Sequence, residues 1–541
     1  MQSEFPGVRR VVGALALLFL SACSGGGDGD SGRHIGLSTT ALTFSANAPS
    51  AATPASQIVT ATFGAGVTNV TALHTGAAIE RVDVALNGTS AQLTVVPAAP
   101  STLGAGAFRG TIAVTGYFCG DPTCSRLEAG QTQTVHTNYQ VSPVVNDVAP
   151  KGAIAGTSAN VVIRGIGFQA FNIRSLNFGS TPATALTVTS DNELTATYPA
   201  LAAGSYPVTL DIPTHVGEIT TTATLVVVDP ITQTAQALAW PGTVGTVHSL
   251  EYDVTRAALL AATDTDGGQL VRYAYTGNAW QTPTTAVVPN LRDAALSIDT
   301  TQWIAVATTG ITPVDPVTLA LGTTVPPPDI EADNFLKSIA MLNTNVAVVT
   351  TGIAESKATT LYAYTVRTNE LVQLAGTLNN GTARGAANGS LIALIQGDPS
   401  LTSAPPFFVA SASGSISATA VTLNQNATPP ALDRDGTRIV LNGTHVYDGG
   451  SALLGLLPEA TSAATVSPSG NRVYTYEAAD NSVRVFDISE TNSGEAYAPL
   501  GSPVALAALP GAGPKMTISA DGNTLFIAGA AQIVVQPTPA L

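Results

Sequence analysis

Chemistry needs side chains that titrate, attack or coordinate, and this chain of 541 residues holds few of them in useful patterns. Its six histidines, His34, His74, His136, His215, His248 and His445, lie far apart. There is no His-Glu-x-x-His stretch to hold zinc and no Gly-Lys-Ser/Thr loop to cradle a phosphate. Gly414-Ser415-Ile416 fails to complete the Gly-x-Ser-x-Gly turn of a nucleophile elbow. Asp264-Thr265-Asp266-Gly267-Gly268 sets two carboxylates beside a glycine turn, but no glutamate closes a calcium loop. A β-turn is expected there, with a weak surface Ca²⁺ site as the alternative. Asp433-Arg434-Asp435-Gly436 reads the same way. Cys119 and Cys124 flank Gly120-Asp121-Pro122, where a turn would bring the thiols together. Zinc would need two further ligands, which no neighbouring Cys or His supplies, so a local disulfide is expected. No catalytic set, metal or cofactor is implied.

The composition narrows the partners. Charged residues make up only 11%, against ~25% in an average globular protein. Apolar residues make up 45%, enough for packed cores. Ala, Thr, Val, Gly and Ser fill the rest, as in exported all-β proteins. The net charge of −15 is thinly spread and serves solubility better than a cationic ligand. Beyond Arg9-Arg10 there is no basic run, so no counterion release would drive binding to nucleic acid.

The third cysteine, Cys23, stands where an apolar stretch meets a Gly/Ser/Asp run, in "LSACSGGGDGDSG". Arg9-Arg10 and the apolar run from Val11 to Leu20 have the form of an export signal and are too short to span a bilayer. Leu20-Ser21-Ala22-Cys23 resembles the lipobox of bacterial lipoproteins. The resemblance implies a signal peptide over 1–22, acylation of Cys23 and a mature chain beginning there. Acyl chains anchor a protein by ~0.8 kcal/mol per buried CH₂. Ser24, in place of Asp, implies passage to the outer membrane. The alternative is an ordinary secretory signal. Either exports the chain to a compartment where the Cys119–Cys124 bridge would persist.

The elements that must position any site are strands. After a flexible tether over 23–34, the periodicity is almost purely two, broken by Gly, Pro, Asn and Asp, which predicts an all-β protein. Residues 35–145 hold about seven short strands, a β-sandwich pattern that resembles the Ig-like modules of bacterial surface proteins. Residues 146–228 carry Pro150-Lys151-Gly152, Gly156-Thr157, "VVIRGIGF", "LNFGSTPAT", "SDNELTATYPA" and "AGSYPVTL". These resemble an IPT/TIG domain, itself Ig-like. Gly165 and Gly167 would bend the chain before Phe168 turns inward, and Phe178 would sit in the core before a turn at Gly179.

Residues 229–541 repeat internally. A small apolar strand, a polar turn and a strongly apolar strand recur, from "SLEYDVTRAALLAAT" to "MTISADGNTLFIAG". One turn residue per copy gives Asp253, Asp299, Asn343, Asn388, Asp435, Ser469 and Asp521, with gaps of 46, 44, 45, 47, 34 and 52 residues. The spacing fits propeller blades of ~40–50 residues, and seven copies predict seven blades. Glycine follows directly at Gly389, Gly436, Gly470 and Gly522. The last copy is short, so "TQTAQALAW" is expected to add its outer strand and close the ring. The repeat resembles YVTN-type and WD-like bacterial propellers, without the Trp-Asp dipeptide.

The fold class is therefore all-β: two Ig-like β-sandwiches followed by a seven-bladed β-propeller. The expected function is that of a lipid-anchored envelope protein, on the periplasmic face or at the cell surface. It would bind a protein or glycan by its propeller and Ig-like modules, as an adhesin or scaffold. One alternative is a hydrolase or lactonase in the propeller funnel. Sialidase-type turns end in Thr-Trp, which "SPSGNRVYTY" and "SADGNTLFIA" lack. An arginine triad would have to come from Arg256, Arg272, Arg292, Arg367, Arg384, Arg434, Arg438, Arg472 and Arg484. Asp293 and Asp333, near the starts of inner strands, are the carboxylates a lactonase would use. The other alternative is a periplasm-facing assembly factor, similar to the propeller lipoprotein of the outer-membrane insertion machinery.

Overall fold

The structure, a computed structural model, describes residues 34–541 apart from 51, 213–218, 220, 232, 329–333, 354–359, 378–380, 396–405, 412–415, 421–428, 459–460 and 541. It divides into two compact units. The first takes the described residues up to Ser45, with Ala52–Leu103 and Ala107–Gln140; the second takes the rest. Apart from one helical turn and two 3₁₀ turns, every regular element described is a strand.

The first sandwich pairs two four-stranded sheets. Ser90–Pro97 shows why: alternate residues Ala91, Leu93 and Val95 are fully buried, as a half-buried strand requires. Val114, Val135 and Tyr139 of the second sheet are fully buried as well. Gly106–Cys119 and Leu127–Ser142 are neighbours in the second sheet, and the turn between them carries the Cys119–Cys124 disulfide, with Cα atoms 4.7 Å apart. Asp121 organises that turn by accepting from the backbone N–H groups of Thr123, Ser125 and Arg126 and from two hydroxyls. Those donors hold its carboxyl well below the usual range.

The second sandwich, within the second unit, stacks a four-stranded sheet on a five-stranded one. Gly152–Ile154 pairs in parallel with Thr224–Val228, Val145 and Thr221 form a parallel bridge, and the other strand pairings described are antiparallel. The register shifts at Arg164/Gly165, as the two glycines predict. Phe168 and Phe178 are fully buried in its apolar core.

Among the described residues, seven further sheets follow. Their first strands are Val247–Asp253, Leu291–Leu296, Asn334–Met341, Thr382–Gly385, Ala431–Leu432, Ala463–Val466 and Lys515–Ile518, and we number the blades 1 to 7 in that order. The expected closure is present: Gln236–Ala239 pairs antiparallel with Gln532–Pro537 and becomes the outer strand of blade 7. The second strand of a blade lies between neighbours on both faces, so it is buried throughout, as Ala258–Thr263 and Trp303–Ala307 are. That is why these strands read as unbroken apolar runs. One apolar cluster fills each seam between adjacent blades, including the seam between blades 7 and 1.

Candidate functional site

The turns that mark the sequence repeat all join the first strand of a blade to the second. Their four glycines have positive φ, 65°, 70°, 70° and 74°, the left-handed backbone such tight turns need. The polar residues beside them also stitch neighbouring blades. Asn388 Nδ2 donates to Asp435 Oδ1 at 3.1 Å, and the Asn343 N–H donates to the Gly389 carbonyl at 2.8 Å.

The same turns carry the second sandwich. Arg164 Nη2 donates to Asn343 Oδ1 at 2.5 Å and pairs with Glu193 inside the sandwich at 2.5 Å. Asp147 pairs with Arg367, in the turn between the third and fourth strands of blade 3. Arg434 stacks on Tyr198, 5.8 Å from the ring centroid, and donates to the Asn160 carbonyl at 3.2 Å. Gly152 comes so close to blade 1 that a Cβ there would lie 1.9 Å from Val254 Cγ1. The connecting chain is pinned as well, with the Ile231 N–H donating to Asp521 Oδ2 at 3.1 Å.

Beneath this roof runs the propeller axis, as a cavity of about 640 Å³. Every blade contributes its first strand to the wall, and Lys151, Gly152 and Ile154 face it from the sandwich. The volume lies in the ~300–1,000 Å³ range of ligand sites. Two tiers differ in charge. At the roofed end, Asp433, Asp435 and Asp521 serve the turns: Asp433 accepts from Thr437 Oγ1 at 2.6 Å, and Asp521 from the Asn523 N–H at 3.0 Å. Nearer the strand starts sit Ser249, Glu251, Asp293, Lys337, Arg384 and Lys515. Arg384, from blade 4, spans the axis. Its Nη1 donates to Asp293 of blade 2 at 2.8 Å and to Ser338 Oγ of blade 3 at 3.2 Å; its Nη2 donates to the His248 carbonyl of blade 1 at 3.3 Å. Asp293 is buried and also accepts from Ser338 Oγ at 2.6 Å.

Burial sets the protonation of this tier. It pushes the Glu251 carboxyl up to about 7, although the Leu296 N–H donates to Oε2 at 2.7 Å. It pushes Lys515 and Lys337 down to about 8, Lys515 with help from the neighbouring Arg384 charge. It also lowers His248. The tier can therefore offer positive charge and one carboxyl that exchanges its proton near neutrality.

Residues 143–227 match the IPT/TIG domain family. The roof of the channel is thus an IPT/TIG module. No curated protein sequence matches the chain. Two solved structures are similar to it at 12% identity. "Structure of U3-55K" has a TM-score of 0.43, with 56% of this chain and 98% of that one covered. "Crystal structure of RRP9 WD40 repeats" has a TM-score of 0.42, with 57% and 98% covered.

Cys23, Asp333 and His215 lie outside the described residues. The loop at Asp264 forms a 3₁₀ turn, and its carboxylate accepts from the Gly245 N–H at 2.8 Å. Among the described residues no three His, Cys, Asp or Glu side chains come together as a metal-holding group. Of the nine propeller arginines, Arg384 and Arg434 line the cavity, while Arg256 pairs with Asp253 and Arg484 with Asp480. Asp293 is engaged by Arg384 rather than free at the axis. Sequence reading missed Ser249, Glu251, Lys337 and Lys515. The available signal was that charged residues recur within the first strands of the repeat, at Glu251, Asp293, Lys337, Arg384 and Lys515.

Proposed function

We propose that this protein is a lipid-anchored binding or scaffold component of a bacterial cell envelope, in which the IPT/TIG module and the propeller act as one recognition head for a protein or glycan. The observation that carries the reading is the roofed channel. The IPT/TIG module covers the turn end, which leaves the opposite end of the propeller to meet a ligand. Loops on a rigid scaffold are where recognition is usually placed. The Cys23 lipobox and the tether would confine this head to a membrane surface. Among the described residues no helix is long and apolar enough to cross a bilayer.

Fractionating cells that express the full chain tests the anchor. The wild type should stay with membranes in high salt, and Cys23→Ser should move to the soluble fraction. A Cys23→Ser protein that still pellets would overturn the lipid anchor. A pull-down from detergent-solubilised envelopes, repeated with surface-digested cells, would identify the partner and the side of the membrane it occupies.

A second reading rests on Glu251. A carboxyl held near neutrality in a cavity is what a general acid requires. Hydrolysis of an ester or lactone that Glu251→Gln abolishes would select the hydrolase.

A further inference from the structure

The axial channel holds polar groups that the fold itself does not use. Ser249 is 4% exposed, lines the cavity, and its Oγ has no hydrogen-bond partner among the described residues. A buried hydroxyl without a partner is unfavourable, and a ligand at that point would remove the cost. Lys515 lines the cavity from blade 7, the neighbour of blade 1, which carries Ser249. Its ammonium makes no ion pair or hydrogen bond with any described residue. The carboxylate nearest in charge effect, Asp293, is held by Arg384 and Ser338.

Charge points the same way. The whole chain is at −15, yet Arg384 and Lys515 line this part of the cavity, and Asp293, the carboxylate beside them, is paired with Arg384. The aspartates at the roofed end are occupied by their turns. A positive pocket in an acidic protein, walled by apolar strands, focuses an anion. The rest of the wall, including Leu250, Ile339, Met341 and Met516, gives an apolar surface for a carbon skeleton.

We propose that the strand-start half of the propeller channel binds a small organic carboxylate of about sugar-acid size, with the carboxylate between Lys515 and the Ser249 hydroxyl and the body of the ligand against the first strands. This deepens the recognition reading above and rests on it only in taking the channel as a binding site. The ligand enters from the end opposite the IPT/TIG module. Ser249 Oγ–H and Lys515 Nζ–H donate, and the carboxylate accepts. Arg384 positions the site through Asp293 and supplies field rather than a direct contact.

Calorimetric titration of the full chain with galacturonate, against its neutral counterpart galactose, tests this. Galacturonate should bind at least tenfold more tightly than galactose. Lys515→Met should lose at least tenfold in galacturonate affinity and Ser249→Ala about tenfold, with galactose binding unchanged. Bromide soaked into crystals should occupy the site beside Lys515. Ser249→Ala, a change of one atom, keeps the test valid if Lys515→Met does not fold. Equal binding of the two sugars overturns the proposal. So does no binding of either with bromide absent from Lys515, or folded variants that bind as the wild type does. None of these outcomes bears on membrane anchoring, which the fractionation of Cys23→Ser reads separately.

Discussion

The core of the IPT/TIG sandwich and the axis of the propeller are both interiors, and they are built from opposite materials. In the sandwich two sheets pack face to face, and Val161, Ile163, Phe178, Leu194 and Val208 fill the space without a charge among them. At the axis seven strands present their edges to one another instead of their faces, and edges cannot interdigitate. A gap remains, and Arg384 spans it to Asp293, Ser338 and the His248 carbonyl. The difference teaches that packing geometry decides which side chains an interior accepts. Close-packed faces exclude polar groups, whereas a converging ring leaves a place where charge can be held and a ligand can be met.

Removing one anchor from each interior should break them in different ways. Phe178→Ala takes a ring from the sandwich, where it meets Tyr198 edge-on at 6.1 Å, and should cost ~3–5 kcal/mol. Asp293→Ala leaves Arg384 unpaired and should cost ~3–5 kcal/mol. Urea unfolding measures both. Only the axial loss should be partly restored by a second change, Arg384→Met, because the cost there is an uncompensated charge and not a void. Failure of that rescue would put the axis in the same class as the sandwich core.

The pH response should separate the two interiors next. Folding raises Glu251 from 4.5 to about 7, so the folded state holds this proton more tightly than the unfolded chain does. That contribution is complete below pH ~4.5 and is lost as pH rises through about 7. Its upper bound is on the order of 3 kcal/mol. Glu251→Gln should flatten stability over that interval in pH-dependent melts, and Phe178→Ala should leave the slope unchanged.

At the boundary between module and propeller, Gly152→Ala places a methyl group against Val254. Overpacking of this kind costs ~1–3 kcal/mol. Hydrogen exchange should rise in Gly152–Ile154, and Val254→Ala should restore it. The smallest effect belongs to the first sandwich, where Leu73 is 70% exposed. Leu73→Ser should change the melting free energy by less than ~0.5 kcal/mol.

Much of this was legible in the chain. The spacing of Asp253, Asn388, Asp435 and Asp521 predicts the blades, because each blade needs a left-handed turn at the same point. The short last copy predicts the closing strand, because a ring cannot leave edges open. Gly165 and Phe178 mark the second sandwich for the same local reasons. The axial tier was not legible. Glu251, Asp293, Arg384 and Lys515 come from four different blades, and no local spacing records which side chains meet across a ring.

Two kinds of information are therefore distinct here. The sequence by itself determined the period, the strand type and the turn chemistry, since each is written in residues close together in the chain. The tertiary structure decided that the repeat's turns carry the IPT/TIG module, that Asp293 is taken up by Arg384, and that Ser249 and Lys515 line the channel without partners among the described residues. Those facts depend on ring closure, which sets distances between residues far apart in sequence, and on burial, which sets the protonation of what meets there.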